Sequence, residues 1–363
     1  MATKTWQDGG VDNNWSTAGN WLESSKPSAD DDVIMSVSYN CILDEDTATL
    51  NSFDMTGYTG TISGVRRVYI TGTTGTTTDC ILDGTITFTG QLSLKPQGTA
   101  IINLSSNGAS LAGDLYIGDT ASSGTVKQQS AISSKGFRIR SSFSGTYYTN
   151  GFSVSLINSF FLSAGTFDFT SSTITVAGVG SYFGILGGSI VSTSSTINMT
   201  ASNPFFIGGD KSFNNVTFSS DGCTISGNNT FTTLNVNQAG NAIGLKFTAG
   251  TTQTVTNFTT NGSSGNLAPI LSTSAGSAFT LTTGSDEISV DYMSIKDSTA
   301  TEATTWYAGA NSTDVSGNSG WLFEAPPPPP TFTKFMGVAA ASIGKANGVA
   351  IASVGKILGI DAP

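Results

Sequence analysis

The chain has 363 residues, of which 11% are charged and 38% are hydrophobic, and it carries a formal net charge of −10. Low charge combined with abundant apolar residues excludes an intrinsically disordered chain. The acidic balance, with no basic stripe evident along the sequence, argues against a nucleic-acid partner. The absence of histidine excludes Ser-His-Asp and Cys-His catalysis, as well as metal sites built on histidine.

The cysteines and the N-terminal residues indicate the compartment. Cys41, Cys80 and Cys223 are odd in number and widely spaced, which predicts buried free thiols rather than a disulfide framework or a metal site. The first residues, Met1-Ala2-Thr3-Lys4, do not have the pattern of a secretion signal. We therefore expect a protein that is assembled in the cytoplasm where it is made.

Residues 1–45 contain three of the five tryptophans, Trp6, Trp15 and Trp21. The open end of a β-solenoid exposes unpaired backbone and core side chains, and bulky aromatic residues can cover it. These tryptophans are therefore interpreted as an N-terminal cap with the first rung of the solenoid. A carbohydrate-binding platform of tryptophans is the alternative.

Residues 46–323 alternate short apolar segments with Gly, Asn, Asp and Ser turns, which predicts an all-β chain forming a right-handed parallel β-helix. The rival fold is an antiparallel β-sandwich array, but Asn-Gly hairpin signals are sparse. An apolar-x-x-apolar-x-apolar unit recurs, and the spacing of neighbouring copies is close to one coil. Its copies are Leu50/Phe53/Met55, Val65/Val68/Ile70, Phe213/Val216/Phe218, Phe231/Leu234/Val236 and Val290/Met293/Ile295.

The tetrapeptide Cys-Ile-Leu-Asp occurs at Cys41 and again at Cys80. The separation of the two copies fits two coils of the predicted solenoid, each of about 20 residues. The two copies are therefore expected to occupy equivalent places in the stack.

Residues 324–331 include five consecutive prolines and form a stiff linker, because proline cannot join a sheet ladder. Residues 332–363 then repeat every 11 residues, beginning at Lys334, Lys345 and Lys356. The repeat fits either a helix with a glycine stripe or short strands joined at the glycines, and it predicts a docking or trimerisation tail. A transmembrane span is the alternative. The candidate docking residues are Phe335, Met336, Val338, Ile343, Val349, Ile351, Val354, Ile357, Leu358 and Ile360.

Three acidic clusters are the places where catalysis could reside: Asp30-Asp31-Asp32, Asp44-Glu45-Asp46, and Asp286-Glu287 with Asp291. Glycan-cleaving β-helices use paired carboxylates in a groove. Aspartate is also favoured at turns, where it accepts local backbone hydrogen bonds. We expect the turn role, with no catalytic residue, metal or cofactor.

Several segments resemble recurrent parts of β-helical structural proteins of tailed-phage virions. They are residues 247–258, 289–298 and 306–312, together with the tail repeat at 348–356. The resemblance implies a homotrimeric rod on the virion surface, contacting other capsid or tail proteins. Tailspikes and tail fibres typically attach through a dedicated N-terminal domain, whereas here the cap begins almost at Met1, so the proline linker and the apolar tail make the C-terminus the expected point of attachment or trimerisation. Head decoration or a head fibre is favoured over a tail fibre that adheres to the host. The alternatives are a tailspike that binds or cleaves host glycans and a bacterial surface adhesin.

Overall fold

The computed structural model describes residues 2–7, 12–285, 287–301 and 304–328, and beyond these the backbone of six short strands. The chain divides into two units, Met1–Phe323 and Glu324–Pro363. In the described part of the first unit the one helical element is a 3-10 turn, Ala18–Asn20. No helix among the described residues is both long and apolar enough to cross a membrane.

The first unit is a parallel β-helix, in which each coil adds one strand to each of several sheets. Sheet 1 has nine strands: Thr3–Thr5, Asp32–Ile34, Ser52–Asp54, Thr77–Ile81, Ile101–Ser105, Thr125–Gln128, Thr146–Tyr148, Thr166–Asp168 and Ser189–Val191. Sheet 2 has thirteen: Thr49–Leu50, Val68–Gly72, Gln91–Pro96, Asp114–Ile117, Phe137–Ile139, Phe160–Leu162, Tyr182–Ile185, Phe205–Ile207, Thr224–Ser226, Leu245–Phe247, Ala268–Ser272, Met293–Lys296 and Thr313–Ser316.

Sheet 3 has ten strands: Ser110–Leu111, Ile132–Ser134, Val154–Leu156, Thr173–Val176, Thr196–Met199, Ser212–Phe218, Thr230–Val236, Thr252–Thr260, Phe279–Thr282 and Ser298–Ala300. Two small sheets lie near the ends: sheet 4 contains Cys41–Leu43, Thr61–Gly64 and Thr85–Ile86, and sheet 5 contains Glu287–Ser289, Thr305–Tyr307 and Trp321–Leu322. Neighbouring strands pair in parallel. This confirms the predicted all-β parallel β-helix, and the parallel pairing excludes the antiparallel sandwich. The right-handed sense of the coil stays a prediction.

The core is one continuous cluster of apolar side chains along the inside of the coil. It forms because alternate residues of each short strand point inward, as in Val68–Gly72, where buried and half-buried residues alternate. Its centre is a ladder of Phe137, Phe160, Phe183 and Phe206, which are evenly spaced in the sequence and paired in register on sheet 2. Successive ring centres lie 5.3, 5.0 and 5.2 Å apart. The first of these contacts is edge-on and the other two are stacked, and both kinds of ring contact reinforce the strand ladder.

The apolar units of the sequence agree with the coil only in part. Phe213, Val216 and Phe218 pair directly with Phe231, Leu234 and Val236, so the step between these two copies is one coil. The step from Leu50 to Val65 was wrongly interpreted as a coil, because Leu50 pairs with Ile70. Val65 lies in the turn before the strand, and its side chain is 71% exposed.

The two Cys-Ile-Leu-Asp copies are not equivalent, contrary to the sequence expectation. Cys41 begins a strand of sheet 4 and pairs with Ile62, whereas Cys80 lies in sheet 1 and pairs with Phe53. Both cysteines are buried because both copies alternate inward and outward. The two copies share the same alternation of inward and outward residues, but they occupy different places in the coil.

In the second unit, three short antiparallel strand pairs follow the 11-residue repeat. They are Lys334–Phe335 with Val338–Ala339, Lys345–Ala346 with Val349–Ala350, and Lys356–Ile357 with Ile360–Asp361. Two residues ending in glycine separate the partners in each pair. Of the two conformations left open by the sequence, these segments adopt the short strands.

Candidate functional site

The three N-terminal tryptophans pack against one another at the first coils. Trp21 lies edge-on between Trp6 and Trp15, with ring centres 5.1 and 4.7 Å away. Its indole Nε1–H donates a hydrogen bond of 2.9 Å to the carbonyl oxygen of Trp15. All three side chains are buried, so they do not offer open ring faces for a sugar.

The other two tryptophans lie near the opposite end of the rod, which the sequence reasoning missed. Trp306 and Trp321 pair in register in sheet 5, and their ring centres are 5.2 Å apart. The Trp321 indole Nε1–H donates to the Ser298 hydroxyl at 3.1 Å. The sequence does indicate that Trp321 lies near the end of the rod, because this residue closely precedes the proline-rich linker.

The candidate docking residues of the tail fall into two groups. Phe335, Val338, Val349, Ile357 and Ile360 lie in the short strands, where the backbone alone is described. Met336, Ile343, Ile351, Val354 and Leu358 lie outside the described residues. Their docking role stays a prediction.

Asp31 and Asp44, one from each of the first two acidic clusters, accept hydrogen bonds from backbone N–H groups. Asp31 accepts from the backbone N–H of Ala2 and Ser28, both at 2.9 Å, and from the Ser28 hydroxyl at 2.8 Å. Asp44 accepts from the backbone N–H of Ser16 at 3.0 Å. These carboxylates link neighbouring segments through hydrogen bonds, as aspartates at turns commonly do.

Asp291 plays the same part near the C-terminal end. Its carboxylate accepts from the backbone N–H of Tyr292 and of Asn311, both at 2.9 Å, and from the Asn311 side-chain amide at 2.7 Å. Glu287 begins a strand of sheet 5, and Asp286 lies outside the described residues. No group of three or more Cys, Asp or Glu among the described residues is placed to hold a metal ion.

These hydrogen bonds predict a loss of stability in acid. Burial raises the pKa of Asp31, but the hydrogen bonds from Ser28 and Ala2 lower it more, leaving the pKa below the ordinary value of 3.8. A lowered folded-state pKa stabilises the fold above the unfolded pKa, and this contribution disappears as the pH falls through the folded value. We expect urea unfolding to show less stability at about pH 3 than at about pH 6, with a smaller difference in Asp31→Asn. Equal differences in the two proteins would contradict this role.

The buried thiols do not suggest chemistry either. Burial raises the pKa of Cys80 to about 12, and it also raises the pKa values of Cys41 and Cys223. The thiolate is the reactive form of cysteine, so these groups are inert at neutral pH.

The outer surface of sheet 2 carries a row of aromatic and basic side chains, here called the aromatic–basic row. It consists of Tyr69, Lys95, Tyr116, Arg138, Phe161, Tyr182 and Phe205 on the strands, with Arg67 and Arg140 directly beside two of these strands. The Nζ atom of Lys95 lies 3.9 Å from the ring centre of Tyr69. The guanidinium carbon of Arg138 lies 4.9 Å from that of Phe161, and that of Arg140 lies 5.2 Å from Tyr116. Cation–π attraction holds these cations against the rings.

The row ends at Phe205. The rings of Tyr182 and Phe205 are stacked, with centres 4.8 Å apart and planes 12° from parallel. The next residue in register is Thr224, whose short side chain does not continue the stack. A groove of about 440 Å³ opens there, lined by Phe205, Thr224, Lys246, Leu271, Lys296 and Asp297, among others. We call it the lysine groove.

The charges of the lysine groove are unbalanced. Lys246 pairs in register with Leu271, and Leu271 pairs with Lys296, so the two lysines lie on either side of a leucine. The ion pairs among the described side chains are Lys26 with Glu45 and Arg140 with Asp119, and neither involves these lysines. The groove therefore presents two half-buried cations next to an aromatic ring on a protein whose net charge is negative.

The outer surface of sheet 3 differs, because one whole row of it is uncharged. The row runs in register through eight coils, and its side chains are exposed or half-buried. Its members are Ser110, Ser133, Ser155, Thr175, Asn198, Thr217, Asn235 and Thr259. We call it the neutral row.

No basic stripe is visible along the sequence, but the fold places Arg67, Lys95, Arg138 and Arg140 beside the aromatic rings of sheet 2. Tyr116, Arg138 and Phe161 lie about one coil apart in the sequence, as do Tyr182 and Phe205, and turns of variable length separate them. Because the sequence does not give the length of each coil, it could not show that these residues share one face of the rod. The sequence did contain one indication of outward aromatic residues, because an aromatic residue can precede a core residue on the same strand, as Tyr182 precedes Phe183.

Comparison of the chain with protein-family models, with curated proteins and with solved structures finds no match.

Proposed function

We propose that this protein is a non-enzymatic structural rod of a tailed-phage particle, working as a homotrimer and attached through its C-terminal tail. The observation that carries the proposal is the long β-helix in which one aspartate of each acidic cluster, Asp31, Asp44 or Asp291, accepts backbone hydrogen bonds. A glycan-cleaving site needs two carboxylates about 5–10 Å apart in an exposed cleft. Asp31, Asp44 and Asp291 are instead engaged by backbone N–H groups.

The neutral row on sheet 3 supports side-by-side packing of identical rods. Copies of a chain with a net charge of −10 repel each other wherever their charged surfaces meet. An uncharged face avoids that repulsion, and its hydroxyl and amide groups can form hydrogen bonds across a symmetric interface. The repeated apolar tail supplies a second contact in the proposal.

Light scattering of the purified full-length chain tests the trimer. We expect three times the chain mass of 37.3 kDa. The triple variant Val338→Asp/Val349→Asp/Ile360→Asp should shift the mass toward a single copy, because charges are costly in an apolar contact. A single-copy mass for the unmodified chain would contradict the trimer.

A matched variant separates loss of the contact from added negative charge. Thr333→Asp/Ser342→Asp/Ser353→Asp introduces the same number of charges at polar positions of the same tail. It should keep the trimer mass. Equal dissociation in both variants would show that charge, rather than the apolar residues, controls assembly.

Cryo-electron microscopy of the phage particle tests the location. We expect density for the rod on the particle surface, with the tail in contact with other particle proteins. Density at the head lattice would assign a decoration or head-fibre role, whereas density at the tail tip would assign host adhesion. Purified particles that lack the chain would overturn the proposal.

A further inference from the structure

We propose that the lysine groove binds a segment of an acidic polysaccharide. In this proposal a sugar ring packs on Phe205 and Leu271, and its neighbours present carboxylates to Lys246 and Lys296. The inference goes beyond the structural role and does not depend on where the rod sits in a particle.

The aromatic side of the groove suits a sugar. One face of the Phe205 ring is covered by Tyr182, but the residue next in register on the other side is Thr224. Phe205 is 37% exposed, so part of its ring remains open to solvent although Tyr182 is stacked on it. An exposed ring at a groove wall offers an apolar surface to the C–H groups of a sugar.

The basic side of the groove suits carboxylates. Lys246 and Lys296 lie two strands apart, which places their Cα atoms about 9–10 Å from each other. Both side chains are half-buried and neither forms an ion pair among the described residues. Hydrogen bonds from ammonium groups to a carboxylate are about twice as strong as neutral ones. Asp297 also lines the groove, but it is 4% exposed, so the lysines dominate the accessible charge.

The size of the groove favours a short stretch of polysaccharide over a protein partner. Its volume of about 440 Å³ falls within the range of small-molecule sites. A stable contact with a second copy of the chain would bury about 800 Å² on each partner, which is a much broader surface.

The aromatic arrangement argues against a nucleic acid. Proteins that bind single strands offer several open ring faces, on which successive bases stack. Here the neighbouring rings of Tyr182 and Phe205 cover each other, which leaves one open face beside two lysines.

Calorimetry with the full-length chain tests the inference. The probes are polygalacturonate, an acidic polysaccharide, and dextran, a neutral one. We expect binding of polygalacturonate that weakens with added salt, and no binding of dextran. The double variant Lys246→Gln/Lys296→Gln and the single variant Phe205→Ser should each lower the affinity by about tenfold or more.

The control variant Lys127→Gln/Lys211→Gln removes two half-buried lysines elsewhere, one on sheet 1 and one in the turn before Ser212–Phe218. It should bind polygalacturonate as the unmodified chain does. Equal loss in the control, or no loss in the groove variants, would overturn the site. Tighter binding of single-stranded DNA than of polygalacturonate would overturn the ligand class, and a change in mass caused by the groove variants would identify a contact between copies instead.

Discussion

Replacing Trp21 with alanine is expected to lower the free energy of unfolding of the rod by about 3–5 kcal/mol. Trp21 is fully buried between Trp6 and Trp15, so its removal opens a cavity and breaks two edge-to-face contacts. It also leaves the Trp15 carbonyl without the indole donor. Urea unfolding followed by circular dichroism measures the change.

The neighbouring residue provides the control for this prediction. Leu22 is 61% exposed, so Leu22→Ala should change the free energy of unfolding by about 0.5 kcal/mol or less. A second variant, Trp21→Phe, keeps an aromatic ring while removing the hydrogen bond, and should fall between the two. If Trp21→Ala unfolds like the unmodified chain, the tryptophan cluster does not stabilise the first coils.

Phe183→Ala is expected to be as damaging at the centre of the rod, lowering the free energy of unfolding by about 3–5 kcal/mol. Phe183 is fully buried and stacks between Phe160 and Phe206 in the aromatic ladder. Its loss would therefore remove contacts with the coils on both sides. Urea unfolding of the purified variant gives the size of the effect.

The adjacent residue on the same strand separates inward from outward positions. Tyr182 points to the outer surface and is half-buried, with Phe161 and Phe205 as ring neighbours. Tyr182→Ala should lower the free energy of unfolding by about 1.5 kcal/mol or less, because water already reaches one side of the ring. A larger loss for Tyr182 than for Phe183 would contradict the assignment of faces.

The fold followed from the sequence because strand alternation is local. Val68 and Ile70 of the Val65/Val68/Ile70 unit are buried as expected, and the failure at Val65 is a failure of register. Register depends on coil length, and coil length depends on turns that vary freely outside the stack. The step from Leu50 to its partner Ile70 is shorter than the step from Phe160 to its partner Phe183.

The candidate binding surface was beyond sequence reasoning for the same reason. Phe205, Lys246 and Lys296 meet at one groove because successive coils of unequal length bring them into one row. Isolated in the sequence, each is an ordinary outward residue of a short strand. The hydrogen-bonding role of the aspartates was easier to predict from the sequence. Their partners are mostly turn residues, and the preference of aspartate for turns is a local property.

The constant spacing of the aromatic ladder bears on how such a rod changes length over generations. Phe137, Phe160, Phe183 and Phe206 occupy the same place in successive coils, and the sequence interval between neighbours is the same each time. Unequal recombination that removes or copies one such period would still bring phenylalanine onto phenylalanine, and the rod would shorten or lengthen by one strand spacing of about 4.8 Å. Over this stretch, the length of the rod can therefore change by whole coils while the packing of its core stays the same.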